Sequence, residues 1–258
     1  MAKPVTPEIH VYADAEAMSR AAAEWLADCA QQALSGGGWF SLALAGGNTP
    51  RRLYEILASD FGGTVPWQRV MFFWSDERYV PQGDEHSNYR MVEESLLKHL
   101  GVPVGNVHPL PTHRKNPEDA ADEYEAFLRS QTESKWPRFD VVLLGMGSDG
   151  HTASLFPGSP ALDEKRRWVV STEAPVEPHR RLTMTLPVIN AAANVCFVAA
   201  GQEKAKALEA AFAARPDKTR CPASAVRPTN GRLICWADES AAAELRAAKT
   251  VTIHRHTG

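Results

Sequence analysis

The chain has 258 residues, 44% hydrophobic and 23% charged, an ordinary globular composition that excludes a disordered, collagen-like or small disulfide-stapled protein. Its 28 basic residues against 31 acidic ones leave a net charge of −3, which offers no positive field for a polyanion, so neither nucleic acid nor an anionic membrane is an expected partner. No apolar run approaches the roughly 18 residues of a membrane span, and the start, MAKPVTPEIHVYADAEAM, lacks the apolar core of a signal peptide, which together point to a soluble, cytoplasmic protein. The four cysteines, Cys29, Cys196, Cys221 and Cys235, include no Cys-x-x-Cys pair and read as free thiols.

Taken in chain order, Met18, Ala22, Trp25, Cys29 and Ala33 recur at three- and four-residue spacing behind Asp14, a suitable N-cap, and the run stops at Gly36-Gly37-Gly38. That pattern predicts an amphipathic helix. WFSLALA (39–45) reads as a strand, followed by a helix from about Thr49 to Ser59; RVMFFWS (69–75) is the next strand, followed by a helix from about Ser87 to Leu100. A helix over about 116–134 precedes the strand FDVVLLG (139–145). Further strands are expected at RWVVST (167–172), RLTMTL (181–186), NVCFVAA (194–200) and LICWA (233–237), with helices from about Gln202 to Ala214 and from Glu239 to Ala248. Short runs that are apolar on both faces and alternate with helices imply an α/β fold, a single Rossmann-like domain over residues 1–258 with a mostly parallel sheet flanked by helices on both faces. No repeat, low-complexity tract or linker divides it.

Four polar segments begin where predicted strands end: Gly46-Gly47-Asn48-Thr49, Ser75-Asp76-Glu77-Arg78, Gly145 through His151, and Gly201-Gln202-Glu203-Lys204. Each alone reads equally as an ordinary turn between strand and helix. Ligands of open α/β sheets bind at the carboxyl ends of strands, so the four together predict one site. AGGNTPRRL reads as an anion cradle, with glycines for close backbone approach, Thr49 as helix cap and Pro50 at the first helical position. It is not a nucleotide P-loop, which would need Gly-x-x-x-x-Gly-Lys-Ser/Thr.

Gly145-Met146-Gly147-Ser148-Asp149-Gly150 matches Gly-x-Gly-x-x-Gly, but the helix that a dinucleotide fingerprint requires is blocked by Pro157-Gly158-Ser159-Pro160. A serine-hydrolase elbow fails as well, since Met146 stands where its first glycine belongs. What remains is a histidine beside a carboxylate, Asp149-Gly150-His151, and histidine is the side chain best matched to general base work near neutral pH. Asp76, Arg78 and Lys204 add a charge stabiliser, a binder of carbonyl or carboxylate and a phosphate binder. Asp149 and His151 could also be two metal ligands, but no third His or Cys is spaced nearby, so no metal is expected.

GGNTP, WSDERYVPQGDEHSNYRM, LLGMGSDGHTASLFPG, PHRRLTMTLPVIN and GQEKAKAL, in this order, resemble the 6-phosphogluconolactonases over nearly the whole chain. The resemblance implies hydrolysis of 6-phospho-D-glucono-1,5-lactone to 6-phosphogluconate, in the oxidative pentose phosphate pathway, with no cofactor. It implies that His151 is the base that activates water, that Asp76 and Arg78, with Asp149, complete the catalytic group, and that Gly46, Gly47, Asn48, Thr49, Arg181 and Lys204 bind substrate. Asn48 departs from the GGSTP of many relatives, and Arg180 competes with Arg181 for the phosphate role. Two other readings share the scaffold, a glucosamine-6-phosphate deaminase/isomerase and a non-catalytic sugar-phosphate sensor. Against the deaminase, Phe156 stands where a GHIAFNEP-like segment puts a glutamate, and Arg78 replaces the tyrosine of DEY. Against the sensor, the chain carries no appended DNA-binding domain. The sequence does not set the oligomeric state, and a monomer is the favoured reading.

Overall fold

The computed structural model describes residues 6–246 and 251–256. The chain runs β1 (Glu8–Tyr12), α1 (Ala15–Ser35), β2 (Phe40–Leu44), α2 (Asn48–Phe61), β3 (Val70–Trp74), β4 (Asp76–Arg78), α3 (Asn88–Ser95) and α4 (Pro117–Ser130). It continues through β5 (Val141–Leu144), β6 (Val169–Glu173), β7 (Arg180–Met184), α5 (Leu186–Ile189), β8 (Asn194–Ala199), α6 (Ala205–Ala211), β9 (Arg232–Asp238) and β10 (Thr252–His256). Seven strands form one sheet in the order β10-β1-β9-β8-β5-β2-β3, and every neighbouring pair in it is parallel. All four residues of β5 are buried, as an apolar run covered on both faces must be. Among the described residues no helix is long and apolar enough to cross a membrane. All four cysteines are free thiols.

Local chemistry sets the element ends. Asp14 caps α1 by accepting the Ala17 N–H at 2.8 Å, and Gly36 closes it. Asn116 caps α4, with Pro117 in its first turn, where a missing N–H costs nothing. Other boundaries differ from the sequence reading. The helix expected over 87–100 ends at Ser95, where Ser95 Oγ donates to the Met91 carbonyl at 2.7 Å, a local bond that competes with helix continuation. The helix expected over 116–134 ends at Ser130, and the one expected from Gln202 opens with a single 3₁₀ turn, Gln202–Lys204.

Three differences are larger. RWVVST and RLTMTL leave the parallel sheet and form a second, antiparallel sheet, β4-β7-β6, together with the SDER segment itself. The helix expected over Glu239–Ala248 is absent from its described part, where 239–244 form turns; residues 247 and 248 lie outside the described residues. The Asp238 carboxylate accepts the Ala241 N–H at 2.7 Å and the Gly201 N–H at 3.1 Å, which ties the end of β9 to the turn after β8. Finally β1 and β10, which have no counterpart in the sequence reading, extend the sheet at one edge.

Ser75 joins the two sheets. Its N–H donates to the Leu44 carbonyl at 2.8 Å, and its own carbonyl accepts the Met184 N–H at 2.8 Å. One residue later the alternation of a strand puts Asp76 and Arg78 on one face of β4 and Glu77 on the other. Glu77 is buried, and its carboxylate accepts the N–H groups of Arg78 (2.7 Å), Asn88 (2.7 Å) and Tyr89 (2.8 Å) and the Ser87 hydroxyl (3.2 Å). It therefore anchors the N-terminus of α3 to β4, where helix dipole and unpaired N–H groups favour an anion. Burial nevertheless pushes its carboxyl up to about 7. A folded-state value above the unfolded one means that the fold holds this proton more tightly, so the stabilisation declines as pH rises through the interval between them. Glu77→Gln, which cannot titrate and leaves one buried N–H without an acceptor, should lower stability by on the order of 1–3 kcal/mol. The gap between wild type and variant in urea denaturation should narrow from pH 5 to pH 8; a gap that widens with pH would mean the carboxyl is held below its ordinary range.

Candidate active site

Because β8, β5, β2 and β3 are adjacent and parallel, the segments that leave them, 201–204, 145–151, 46–49 and 75–78, emerge along one rim. They enclose a cleft of about 260 Å³. Gly46, Gly47, Asn48, Thr49, Asp76, Arg78, His151, Arg181 and Lys204 all line it. Asp149 does not; it lines the adjacent groove and reaches the cleft through His151. Arg180 faces that adjacent groove too, while Arg181 faces the cleft, as neighbouring residues of a strand must.

The turn after β2 is shaped for close approach. Gly47 has φ +99° and is itself the N-cap of α2, with no side-chain cap; Thr49 lies within the helix rather than capping it, and Pro50 is its third residue rather than its first. Pro50 has no N–H and the Arg51 N–H is bonded to the Gly47 carbonyl at 3.2 Å, which leaves the N–H groups of Asn48 and Thr49 for an anion. A Cβ on Gly46 would fall inside the Asn88 carboxamide, so only glycine fits there. Asn88 in turn donates from Nδ2 to the Asp76 carbonyl at 3.0 Å.

In the loop after β5, His151 Nδ1 lies 2.6 Å from Asp149 Oδ1, and the same oxygen accepts the His151 N–H at 3.1 Å. The bond to His151 holds the Asp149 carboxyl below the usual carboxylate range. With Nδ1 engaged, Nε2 is the nitrogen available to the cleft. A Cβ on Gly147 would collide with both the imidazole and the Asp149 carboxylate; the second glycine of GMGSDG thus serves the His–Asp pair. The Gly147 N–H donates to the His151 carbonyl at 2.9 Å and the Gly150 N–H to the Gly147 carbonyl at 3.0 Å, so neither is free for an oxyanion. No α-helix follows this loop before β6. Ala153, with φ 46°, is a non-glycine residue in the left-handed region, a strained conformation of the kind that collects at functional sites.

Charge is distributed unevenly over the remaining walls. Arg78 and Arg181 are direct partners in the β4–β7 ladder, and among the described residues neither has a carboxylate within salt-bridge reach. Arg78 donates from Nη1 to the His86 carbonyl at 2.7 Å. Arg181 is only 5% exposed, yet its Nε and Nη1 are buried without a partner, and burial, with Arg78 adding repulsion, lowers its pKa. Two guanidinium groups held side by side with open donors make a site for an anion. Asp76 is nearby but committed, its Oδ2 accepting the Ser154 hydroxyl at 2.7 Å. Asn88 and Ser154 are cleft residues that the sequence reading does not single out; both lie inside quoted motifs, and nothing in residue type marks them as contacts. Among the described residues no group of three metal-ligating side chains converges in the cleft.

A model of the family described as glucosamine-6-phosphate isomerases/6-phosphogluconolactonase matches residues 13–235. A 6-phosphogluconolactonase of Synechocystis is 42% identical over 218 residues, covering 83% of this chain and 88% of the relative. A probable 6-phosphogluconolactonase 2 of Oryza sativa subsp. indica is 34% identical over 263 residues, covering 96% of this chain and 94% of its own. The solved 6-phosphogluconolactonase of Trypanosoma brucei superposes with a TM-score of 0.84 at 32% identity, covering 95% of this chain and 100% of that one. By sequence over nearly its whole length, and by the fold that carries the cleft, the chain belongs to the glucosamine-6-phosphate isomerase/6-phosphogluconolactonase family.

Proposed function

We propose that the chain hydrolyses 6-phospho-D-glucono-1,5-lactone to 6-phospho-D-gluconate, the lactonase step of the oxidative pentose phosphate pathway, as one catalytic unit in the cytoplasm without a cofactor. The observation that carries this reading is the pairing of a histidine whose Nδ1 is held by a carboxylate at 2.6 Å with an uncompensated buried arginine across the same cleft. A lactone is an ester, so its hydrolysis needs an aligned water, a base and a donor for the tetrahedral oxyanion. His151 Nε2 takes the proton of the attacking water as its oxygen bonds to the lactone carbonyl carbon. Asp149 holds the tautomer and balances the imidazolium, acting as a positioning residue. Arg78 meets the oxyanion, and the imidazolium returns the proton to the ring oxygen as its bond to the carbonyl carbon breaks. The Asn48 and Thr49 N–H groups, Arg181 and Lys204 hold the phosphate. Asp76 orients the 151–154 segment through Ser154.

The deaminase reading meets a specific obstacle. The ring of Phe156 packs against His151 at 4.6 Å between centroids, and a phenyl ring neither accepts a proton nor fixes a tautomer. A paired assay on one preparation separates the two: acid release from the lactone is expected, with no ammonia from glucosamine 6-phosphate, and ammonia release without lactonase activity above the spontaneous rate would overturn the assignment.

His151→Ala should lower kcat by roughly 10²–10⁴-fold with little change in KM. Asp149→Asn should lower it less, since the imidazole remains. A His151→Ala enzyme within threefold of wild type, about 0.7 kcal/mol in barrier, would remove the histidine from the mechanism. Arg181→Ala and Lys204→Ala should chiefly raise KM, each losing charge-assisted bonds worth about 1.5–3 kcal/mol. Their defect should vanish with unphosphorylated gluconolactone, and wild-type enzyme that treats both lactones alike would refute the phosphate grip.

A further inference from the structure

At the edge of the sheet opposite the cleft, β1 lies between β9 and β10. The parallel register sets His10 beside His254 and Tyr12 beside His256, and the period of two in a strand puts Glu8, His10, His254 and His256 on one face. The imidazoles of His10 and His254 lie 4.7 Å apart and 15° from parallel. One ligand atom from each of Glu8, His10 and His254 lies within 4.8 Å of the others.

We propose that Glu8, His10 and His254 form a binding site for one divalent cation, with zinc the best fit, that ties the C-terminal strand β10 to the sheet. The donor set is imidazole and carboxylate, which suits zinc. The setting of His10 supports it. His10 Nδ1 is 3.1 Å from His256 Nε2, which fixes the orientation of the ring, and His10 Nε2 faces the Glu8 carboxylate 3.9 Å away. That distance is too long for a hydrogen bond and close to the spacing of two donors on one metal ion, so a cation fits between the imidazole and the carboxylate. A ligand imidazole whose second nitrogen is fixed by a neighbour is the usual arrangement at metal sites. Bonds of about 2.0–2.1 Å place tetrahedral donors about 3.3 Å apart, a closure within reach of side-chain rotation on exposed strand β10. Arg232 donates to Glu8 at 3.0 Å and orients its carboxylate.

The test is calorimetric titration of chelator-treated protein with zinc chloride at pH 7.5, paired with thermal denaturation. One zinc per chain in the micromolar range is expected, together with a rise in Tm. His254→Ala and His10→Asn should each weaken binding roughly 10-fold or more and abolish the Tm rise, while the double variant Asp149→Asn/His151→Ala keeps both. His254 is exposed on an edge strand, so its variant stays folded, as its metal-free Tm would report. No micromolar binding, or binding that survives both substitutions at the strand face, overturns the proposal.

Discussion

Four adjacent strands, β8, β5, β2 and β3, run in the same direction, and each must therefore release its chain at the same edge of the sheet. That constraint brings residues more than 150 positions apart, from Gly46 to Lys204, to one cleft. It also explains why the local chemistry of each segment is so different from that of a plain connection. A turn that only joined strand to helix would have no use for Gly47 at φ +99° or for an N-terminus of α2 without a side-chain cap. Nor would the loop after β5 need a glycine at 147 to clear a histidine and a carboxylate.

The small sheet adds what the parallel sheet cannot. Ser75 passes the chain directly from β3 into β4 by hydrogen bonds to both sheets, and the antiparallel ladder then sets Arg78 opposite Arg181. Like charges directly opposite in a ladder are destabilising, and a buried guanidinium without partners costs more than an exposed one. The fold tolerates this because Glu77, on the reverse face, gathers three backbone N–H groups and a hydroxyl and so holds β4 against α3. Within three residues of one strand, the anchoring carboxylate and the guanidinium that lines the cleft thus sit on opposite faces.

The helix-bounded strands were legible in the sequence because their signals are local. Asp14 and the glycines at 36–38 bracket α1, and runs such as FDVVLLG are apolar on both faces in any α/β fold. β4 is only three residues, too short to show a period, and β10, TIHRH and mostly exposed, lacks the apolar signal of a strand because an edge strand need not be buried. The alanine-rich stretch after Glu239 has high helix propensity, yet its described part forms turns; the Asp238 carboxylate that accepts the Ala241 N–H also accepts the Gly201 N–H, a tertiary tie that propensity cannot register.

By itself the sequence determined the α/β class, the four strand-end segments that line the cleft, and His151, Arg78 and Lys204 within them, since each follows from residue type and from the rule that ligands gather at strand ends, whereas Arg181 was legible only through the family resemblance. Only the tertiary structure decided which neighbour faces the cleft and which does not. Arg181 rather than Arg180, Asp76 rather than Glu77, and Asp149 acting through His151 are consequences of strand alternation and of packing against α3 and the loop after β5. Asn88 and Ser154 entered the site the same way, by contacts across 78 residues in one case and 12 in the other. Such facts depend on where a backbone turns in space, and side-chain direction at a short strand or a glycine loop is set by long-range pairing that leaves no period in the sequence.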